Sequence, residues 1–599
     1  MDRNTFTGLF LIMIILAGSF YFFKPSEAEL KKAKETEKID SLKKAGVTAT
    51  TLKDTVKNTA TTTTPAVDSL AFKGPFGTAL AGTESNTIIE NQNLLITLSN
   101  KGGKIVSVQV KGQKTFDGKP LILFSGNDNK FGLNLNAAGK AINTNDLYFT
   151  PVKNGNNVTM RANYGANAYV EFAYTLKPDS NKVAFNVNLV GLQQVITGNS
   201  INLNWDATLL QQEKSIESEH RYSAPYYKYL NGDVDHLSVS KDEKEELAKG
   251  KIQWVSFKQH FFSASLIAKQ GFEKGSLEVK IPTTPGQIKF YSANMQLPYT
   301  HLANQAYEME FYFGTNKFSA LKAQGYDLEQ QVDMGYWPLK YVNRFIVLPV
   351  FNFLNGFGWN YGLIIFALTI LLKLALSPLT YKSYLSMAKM RVLKPEMDEI
   401  KAKVGEDNPT LVQQEYLKLY KKAGVNPLGG CLPMLLQLPL VMAFFFFFPN
   451  LFELRQESFL WMKDLSTYDE FIRFGVKIPF IGDHLSLMCV LMTISTLIMT
   501  YFNNQVSGAT GQMKYIGYIM PVIFLGVLNS YPAGLNYYYF LANLMTFGQQ
   551  FLIRKMVDDD KIHALIQQNK ARPADEKKKK SKFQQRLDDY MRQQQQAKK

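Results

Sequence analysis

One apolar stretch in the second half of the chain decides the broad fold: residues 361–376 read YGLIIFALTILLKLAL. Later stretches of the same character occupy residues 428–448, 485–502, 515–528 and 535–553. A helix needs about 20 predominantly apolar residues to cross the hydrocarbon core of a bilayer, and each stretch approaches that length. The region 357–553 therefore predicts five membrane-spanning helices.

A further apolar run lies near the N-terminus, at residues 6–23 behind Arg3. It ends in bulky aromatic residues and not in the small residues of a signal-peptide cleavage site. Residues 1–24 are therefore predicted to be a retained signal anchor and a sixth span. Residues 25–77 are rich in Lys, Glu, Thr and Ala, with too little apolar surface to offset the entropy lost on ordering, so we expect a flexible tether.

Between the tether and the later spans, residues 78–320 carry apolar side chains at every second position. The alternation is clearest at Val183, Phe185, Val187 and Leu189, and at Ile201, Leu203 and Trp205. Asn-Gly and Gly-Gly pairs at 154–155, 231–232 and 102–103 are typical of tight turns. This pattern predicts half-buried antiparallel strands, so the fold class is a six-helix membrane protein with a large β-sandwich.

An amphipathic segment, residues 328–356, joins the predicted sandwich to the first long apolar stretch. Aromatic and cationic side chains recur every four residues on two neighbouring faces, with Trp337, Tyr341 and Phe345 on one and Lys340 and Arg344 on the other. This pattern predicts a helix that lies in the headgroup plane of a membrane. The alternative is an ordinary surface helix of the sandwich.

The net charge of +16 is unevenly distributed along the chain. The tail, residues 554–599, and the loop 380–427 are net basic, whereas 450–484 is net acidic. Because basic loops stay in the cytoplasm, the positive-inside rule predicts that both termini and the 380–427 loop are cytoplasmic. Residues from about 25 to 337 are then predicted to be periplasmic.

Residues typical of catalysis or metal binding are sparse. The six histidines show no metal-ligand spacing, and the sequence lacks the phosphate-loop, dinucleotide-binding and serine-hydrolase motifs. Cys431 and Cys489 both fall in apolar stretches, so neither is expected to staple the sandwich. We predict no cofactor, no metal and no catalytic residue. An enzyme that acts on glycans through paired carboxylates of the sandwich is the remaining enzymatic alternative.

Lys373 is the most informative residue of the apolar stretches. A cation within a span costs about 2.5–3.5 kcal/mol on insertion scales, so it needs water, a partner or a route to the interface. Thr369 lies one turn earlier on the same face, which favours a polar stripe along an internal wet groove. The alternative is snorkelling, because Ser377 and Pro378 end the helix one turn later and the lysine stem can reach the headgroups.

Other polar side chains of the apolar stretches are candidates for the same groove: Gln437, Asn536, Tyr538 and Tyr539. Each has a plainer alternative, because Gln, Asn and Tyr commonly form hydrogen bonds between membrane helices or anchor them at the interface. Taken together with Lys373, they predict a hydrophilic path through half of the bilayer.

Residues 380–425 predict a cytoplasmic helical hairpin. Apolar residues recur at helical spacing on both sides of a break at residues 405–409. Exposed methionines adapt to varied apolar partners, so a hairpin of this kind could receive client proteins. The candidate contacts are Met387, Met390, Leu393 and Met397. The alternative is that the hairpin is only structural.

The tail carries four consecutive lysines: Lys577, Lys578, Lys579 and Lys580. A lysine run can follow the phosphates of ribosomal RNA, and it can equally touch anionic membrane lipid. Both readings rest on the same electrostatics, so the run is a candidate contact for the ribosome or for lipid.

Six short motifs stand in the apolar half of the chain: LSPLT (376–380), MAKM (387–390), NPLGGCLP (426–433), QLP (437–439), MPVI (520–523) and YPAGLNYYY (531–539). In their order and spacing they resemble the YidC/Oxa/Alb family of membrane protein insertases. The predicted sandwich, with NKGGKI at 100–105, looks like the large periplasmic domain of the Gram-negative members.

The resemblance implies a five-helix core around a hydrophilic groove, marked by a cation that corresponds to Lys373. Familiar bacterial members have arginine there, and lysine lacks its planar fork. It further implies a non-enzymatic insertase and chaperone of the bacterial inner membrane, acting on nascent membrane-protein clients alone or with the Sec translocon. The hairpin and tail would meet the client or the ribosome. The rival classes are a secondary transporter coupled through Lys373 and a scaffold that is only anchored by its helices.

Overall fold

The computed structural model describes residues 75–405, 409–425, 432–507 and 512–571. The first part of this chain is built of β-strands and the last part of helices. The predicted signal anchor, and the predicted tether up to residue 74, lie outside the described residues.

Nineteen strands, β1 to β19 in chain order, make up the first part. They are Asn86–Glu90, Leu94–Ser99, Lys104–Lys114, Pro120–Ser125, Asn129–Ala137, Lys140–Asn143, Thr150–Asn154, Asn157–Gly165, Ala168–Leu176, Lys182–Val190, Ser200–Leu210, Ala224–Tyr229, Val234–His236, Glu243–Leu247, Ile252–Lys258, Phe262–Phe272, Lys274–Lys280, Gln287–Pro298 and Asn304–Thr315. Two further strands in the helical part, β20 (Ile472–Ile478) and β21 (Gly482–Leu485), form a separate hairpin.

The strands of the first part form three sheets in which neighbouring strands are antiparallel. The largest has nine strands in the order β13-β12-β15-β16-β19-β10-β9-β8-β7, and the second has six in the order β14-β17-β18-β11-β5-β6. A four-stranded sheet, β1-β2-β3-β4, completes the domain. The large antiparallel β-structure that the sequence predicts is therefore confirmed.

The nine-stranded and six-stranded sheets face each other across an aromatic core. Phe131 of β5 meets Phe185 of β10 with ring centroids 5.4 Å apart, and Trp205 of β11 stacks on Phe257 of β15 at 4.0 Å. Such pairs are worth about 0.5–1.5 kcal/mol beyond their burial. The apolar positions that alternate along β10 and β11 all point into this core and are buried, as their spacing predicts.

Thirteen helices, α1 to α13 in chain order, are formed by the described residues. They are Ile216–Tyr222, Phe318–Gln324, Leu339–Val342, Leu348–Asn355, Tyr361–Ala375, Ser377–Val392, Lys394–Val404, Pro409–Ala423, Leu432–Phe447, Leu487–Ser507, Gln512–Leu528, Ala533–Met556 and Asp559–Ala571. The described parts of the five apolar stretches of the second half correspond to α5, α9, α10, α11 and α12, so the helical character of this region is confirmed.

Two of the described helical stretches are long and apolar enough to cross a bilayer, Tyr361–Val392 and Leu487–Asn504. Leu438–Asn450 and Tyr515–Leu528 are apolar but shorter. Helix α12 is more polar than the other predicted spans because it carries Asn and Gln side chains in its middle turns. The count of six spans remains a prediction.

The predicted interfacial helix over 328–356 needs a correction, because the helix starts later. Leu328–Gln331 form a short 3-10 turn, and regular helix begins only at α3, after Gly335 with φ of 93° and Pro338. A π-helical turn then links α3 to α4. Before α3, side chains such as Leu328 are buried against the sandwich and belong to its packing. Trp337, Tyr341 and Phe345 are exposed, and their place in the headgroup plane stays a prediction.

The sandwich and the helical part meet at a buried polar junction. Arg455, which follows α9, donates from Nε to Glu213 Oε1 at 2.7 Å and from its terminal nitrogen to the Lys114 carbonyl at 2.6 Å. Burial lowers the pKa of His260 to about 3, so its ring is neutral and Nε2 donates to the Pro449 carbonyl at 2.8 Å. The sandwich is therefore fixed directly onto the segment that ends α9.

A second buried acid lies behind this junction. The carboxylate of Glu219 accepts from the backbone N–H groups of Gln212 and Glu213 at 3.1 and 3.2 Å, and from the side-chain amide of Gln259. Burial raises the pKa of Glu219 to about 8, with the neighbouring Glu213 as the next cause. The junction thus holds two enclosed carboxyl groups and one guanidinium.

Candidate functional site

The most informative residue of the sequence, Lys373, lies near the end of α5 and faces α12. Its ammonium Nζ donates to Thr546 Oγ1 at 2.8 Å, and the side-chain amide of Gln549 donates to the Lys373 carbonyl at 2.9 Å. The Thr546 hydroxyl itself donates to the Ala542 carbonyl. Lys373 therefore reaches across to the next helix within the core, and in this structure it contacts a neutral acceptor there.

Further polar side chains continue this contact across α12 to α10. Asn543 donates to Ser495 Oγ and to Thr496 Oγ1, both at 2.9 Å, while Gln550 donates to Asn503 Oδ1 at 3.1 Å. Because α12 packs against both α5 and α10, these contacts form one continuous band. We call it the polar seam, and it comprises Lys373, Ser495, Thr496, Asn503, Asn543, Thr546, Gln549 and Gln550.

Some buried polar atoms of the seam have no hydrogen-bond partner in the described chain. Gln549 Oε1 and, beside the seam, Asn504 Nδ2 are buried and have no hydrogen-bond partner among the described residues. A buried polar group without a partner costs about 1–3 kcal/mol, so such atoms favour the entry of water or of another polar group. The seam can therefore accommodate hydrogen-bonding groups that the protein does not supply.

Sequence reasoning missed every member of the seam except Lys373. A signal was present, because Asn543, Thr546 and Gln550 follow the i, i+3, i+7 spacing of one helix face. Ser495 and Asn503 show the related i, i+8 spacing on α10. Apolar residues dominate both stretches, and only the packing of α12 on α10 shows that their polar faces meet.

Thr369 does not extend the seam. It is fully buried, and its hydroxyl donates to the Ile365 carbonyl of its own helix at 2.7 Å. Such a bond satisfies a threonine within a helix without any outside partner. The predicted stripe from Thr369 to Lys373 is therefore interrupted, and polar contacts run sideways to α12 instead.

The residues predicted at the start of α12 lie apart from Lys373. Tyr538 is eight residues before Thr546, about 12 Å along a helix axis. Its ring lies 4.2 Å from that of Phe444 on α9, and the Tyr539 hydroxyl donates to the Val441 carbonyl at 3.2 Å. Asn536 is fully buried and donates to the Leu528 carbonyl. These three side chains join α12 to its neighbours near the sandwich.

Two predicted sites cannot be placed. The backbone of Gln437 belongs to α9, but its side chain lies outside the described residues. The lysine run of the tail, Lys577, Lys578, Lys579 and Lys580, also lies outside them. Within the described ranges, no group of three or more His, Cys, Asp or Glu side chains is arranged to hold a metal ion.

The hairpin region contains the predicted helices on either side of residues 405–409, α7 and α8, but its apolar residues are less exposed than expected. Leu393 is fully buried, and Met387 and Met390 are half-buried. Met397 is also half-buried and accepts a hydrogen bond from Tyr420. Leu393 therefore offers no exposed surface in this structure, and the role of the four residues as client contacts stays a prediction.

Leu393 is buried by a helix that the sequence pattern does not predict. The tail forms α13, which packs against α6 and α8. Its Ile562 and Ile566 are buried together with Leu393 in one cluster. An ion pair between Arg391 and Asp559, with 2.7 Å between nitrogen and oxygen, closes the cluster at one side.

Comparison with known families covers most of the chain. The family described as 60Kd inner membrane protein matches residues 352–561, and the family described as YidC periplasmic domain matches residues 87–352. The two matches meet in the segment that leads from the sandwich into α5. The matched parts therefore coincide with the helical region and the β-sandwich.

Individual relatives match over their whole length. The membrane protein insertase YidC of Parabacteroides distasonis is 38% identical, with 100% of this chain and 98% of that protein covered. The protein of the same name from Bacteroides fragilis is 39% identical with the same coverage.

Solved structures resemble the chain more distantly. A crystal structure of YidC from Thermotoga maritima has a TM-score of 0.24 at 15% identity, covering 78% of this chain and 99% of that one. A galactose mutarotase-like protein from Lactobacillus casei has a TM-score of 0.28 at 12% identity, over 38% of this chain and 100% of that one. Scores this low imply nothing about activity. Family matches and full-length relatives agree, and the chain belongs to the YidC/Oxa/Alb family, in the group with a large periplasmic β-domain.

Proposed function

We propose that this protein is a membrane protein insertase, which moves segments of newly made membrane proteins from water into lipid. The observation that carries the proposal is Lys373, a cation inside the helical core whose ammonium meets the neutral hydroxyl of Thr546. In the described ranges, no carboxylate forms an ion pair with this ammonium. Full-length relatives that are named insertases support the same activity.

The polar seam is the proposed groove of the insertase. A client segment with carboxylate or amide groups replaces Thr546 as the partner of Lys373, and free acceptors such as Gln549 Oε1 hold water beside it. A charge at the centre of a span costs about 2.5–3.5 kcal/mol on insertion scales. Hydration and the lysine reduce this cost for the client, so no nucleotide and no covalent step is needed.

Lateral release then follows from the hydrophobic effect. Leu438 and Met442 of α9 are exposed, and the carbonyl of Val441 on the same helix accepts the hydrogen bond of Tyr539. A client helix that moves along this face leaves water at a gain of about 25 cal/mol per Å² of apolar surface. Release into lipid is therefore downhill once the polar part has entered the seam.

The proposed topology has both termini in the cytoplasm and the sandwich in the periplasm, within a six-span protein of the bacterial inner membrane. The basic segments at 380–427 and 554–599 support this orientation through the positive-inside rule. The proposed partners are nascent clients, the Sec translocon for part of them, membrane lipid, and the ribosome through the basic tail. The half-buried Met387 and Met390 remain the proposed client contacts of the hairpin.

Reconstitution tests the proposal directly. The purified full-length protein is placed in liposomes with a small single-span client, and the fraction of client protected from added protease is scored. Three forms are compared: wild type, Lys373→Ala and Lys373→Arg. Lys382→Ala is the matched control, because it removes the same charge from an exposed position on the next helix, α6.

We expect wild type, Lys373→Arg and Lys382→Ala to protect the client, and Lys373→Ala to lose most of that activity. Full activity of Lys373→Ala would keep the insertase function and refute the role of the charge. No protection by wild type, beside a working insertase, would refute the function. Ion or solute flux that depends on Lys373 in the same liposomes would then support a transporter, and a protein without either activity would be a scaffold.

The glycan-active alternative gains nothing from the buried acids of the sandwich. Glu213 and Glu219 are the carboxyl pair at the junction, and both are enclosed, with Glu213 held by Arg455. A sugar could not reach them without separation of the sandwich from the helices. Their geometry supports docking of the domain and not hydrolysis.

A further inference from the structure

The hairpin of β20 and β21 has an exposed apolar face. Strand β20 carries both apolar and cationic residues, and its pairing with β21 is irregular between Arg473 and Ile478. Its apolar residues are Ile472, Phe474, Val476 and Ile478, and its cations are Arg473 and Lys477. Val476 is 71% exposed, and Phe480 at the turn is 94% exposed. The described chain leaves this face largely uncovered.

Apolar strand residues of the sandwich, by contrast, are covered. On β10, the apolar side chains Val183, Phe185 and Val187 are fully buried between two sheets. An uncovered apolar strand in water invites aggregation, so it needs an apolar environment outside the chain. The apolar face of the hairpin is therefore built for contact with something other than water.

The position of the hairpin identifies that environment. The amide of Asn529, just beyond the end of α11, donates to the carbonyls of Ile481 and His484 at 2.8 and 2.7 Å. A Cβ at Gly526 would collide with the Phe480 carbonyl oxygen, so the turn lies directly on α11. Gly526 is two residues inside the end of α11, where the neighbouring Val527 is more than half exposed. The turn thus lies level with the apolar surface of a predicted span.

We propose that the hairpin inserts its turn into the lipid leaflet on the sandwich side of the membrane. Phe480 and Val476 then lie at the boundary between headgroups and acyl chains, in continuity with the exposed face of α11. Arg473 and Lys477, which are exposed on the same strand, reach the lipid phosphates, as cationic side chains at membrane interfaces do. The hydrogen bonds from the Asn529 amide to the Ile481 and His484 carbonyls hold the hairpin at this depth.

Spin labels at single cysteines test this placement. In the full-length protein with Cys431→Ser and Cys489→Ala, a nitroxide is attached at Phe480→Cys. Val152→Cys on an exposed sandwich strand is the water reference, and Val527→Cys on α11 is the lipid reference. Proteoliposomes of phosphatidylethanolamine and phosphatidylglycerol are the probe membrane. Collision with molecular oxygen, which concentrates in lipid, is compared with collision with a water-soluble nickel chelate.

We expect the ratio of oxygen to nickel accessibility at position 480 to approach that of position 527 and to exceed that of position 152. A ratio equal to that of position 152 would overturn the proposal, since the turn would then lie in water and await a protein partner. Spectral broadening that disappears when the protein is diluted in lipid would also overturn it, because the occupant would be a second copy of the chain.

Discussion

The buried pair between Arg455 and Glu213 makes a quantitative prediction about how firmly the sandwich is held. Arg455→Met removes the guanidinium and leaves Glu213 enclosed without its partner. Burial raises the pKa of Glu213 to about 7 even beside Arg455, so the pair is fully charged only above that pH, and there breaking it costs about 3–5 kcal/mol. Separation of the sandwich from the helices hydrates Glu213, so the cost appears first as opening of the junction.

The expected size of this opening follows from the same figure. Since each 1.4 kcal/mol is a factor of ten in an equilibrium constant, the population of the open junction rises by a factor of about 100 to about 4,000. The turn between β15 and β16, which carries His260, is the segment that opening exposes. Hydrogen exchange of its amides, followed by mass spectrometry, measures the change, with β8 and β9 as the internal control.

Two further variants separate the stranded charge from lost packing. Glu213→Gln together with Arg455→Met removes both charges, and we expect most of the protection to return. Arg455→Lys keeps a charge but loses the fork that also reaches the Lys114 carbonyl, so its effect should be intermediate. The reasoning is refuted if the double variant exchanges as fast as Arg455→Met, because contact with Phe262 would then carry the junction.

Three other predictions concern single residues. Because burial raises the pKa of Glu219 to about 8, the folded sandwich holds a proton that the unfolded chain releases, so its free energy of unfolding falls as the pH rises from about 5 to about 8. Urea unfolding at several pH values should show this slope, and Glu219→Gln should flatten it. Leu393→Ala should destabilise the α6–α8 and α13 cluster by about 2–5 kcal/mol, seen as faster trypsin cleavage there while the sandwich stays resistant. Asn343→Leu leaves the Met334 and Ala443 carbonyls without their donor, so we expect the free energy of unfolding to fall by about 1–3 kcal/mol. Amide exchange in α3 and α4 should become faster. Unchanged exchange would mean that packing alone holds these two helices.

Local periodicity predicts much of the architecture. The alternation at residues such as Phe185 and Trp205 identifies strands and their buried faces, because one side of a half-buried strand must be apolar. Long apolar runs likewise predict helices. Strand order is not encoded locally: β10 lies between β9 and β19, and a partner more than 100 residues away leaves no trace in a short window of sequence.

The candidate site shows the same limit. Lys373 is recognisable because a cation among apolar residues is expensive, whereas Thr546 and Asn543 are ordinary in any helix. They become informative only when packing brings α5, α12 and α10 together. The exposure of Leu393 could not be predicted for a related reason. Its spacing indicates an apolar face, but the position of α13 decides whether that face is covered.

Asn529 has a mechanical consequence for the pair of helices that it joins. Its side-chain oxygen accepts from Ser486 N at 2.8 Å at the start of α10, while its amide holds the β20–β21 hairpin beyond α11. These bonds form a pivot at the sandwich end of the two helices. Any separation of α10 from α11 is therefore largest at the ends of the helices far from Asn529, and smallest at Asn529 itself.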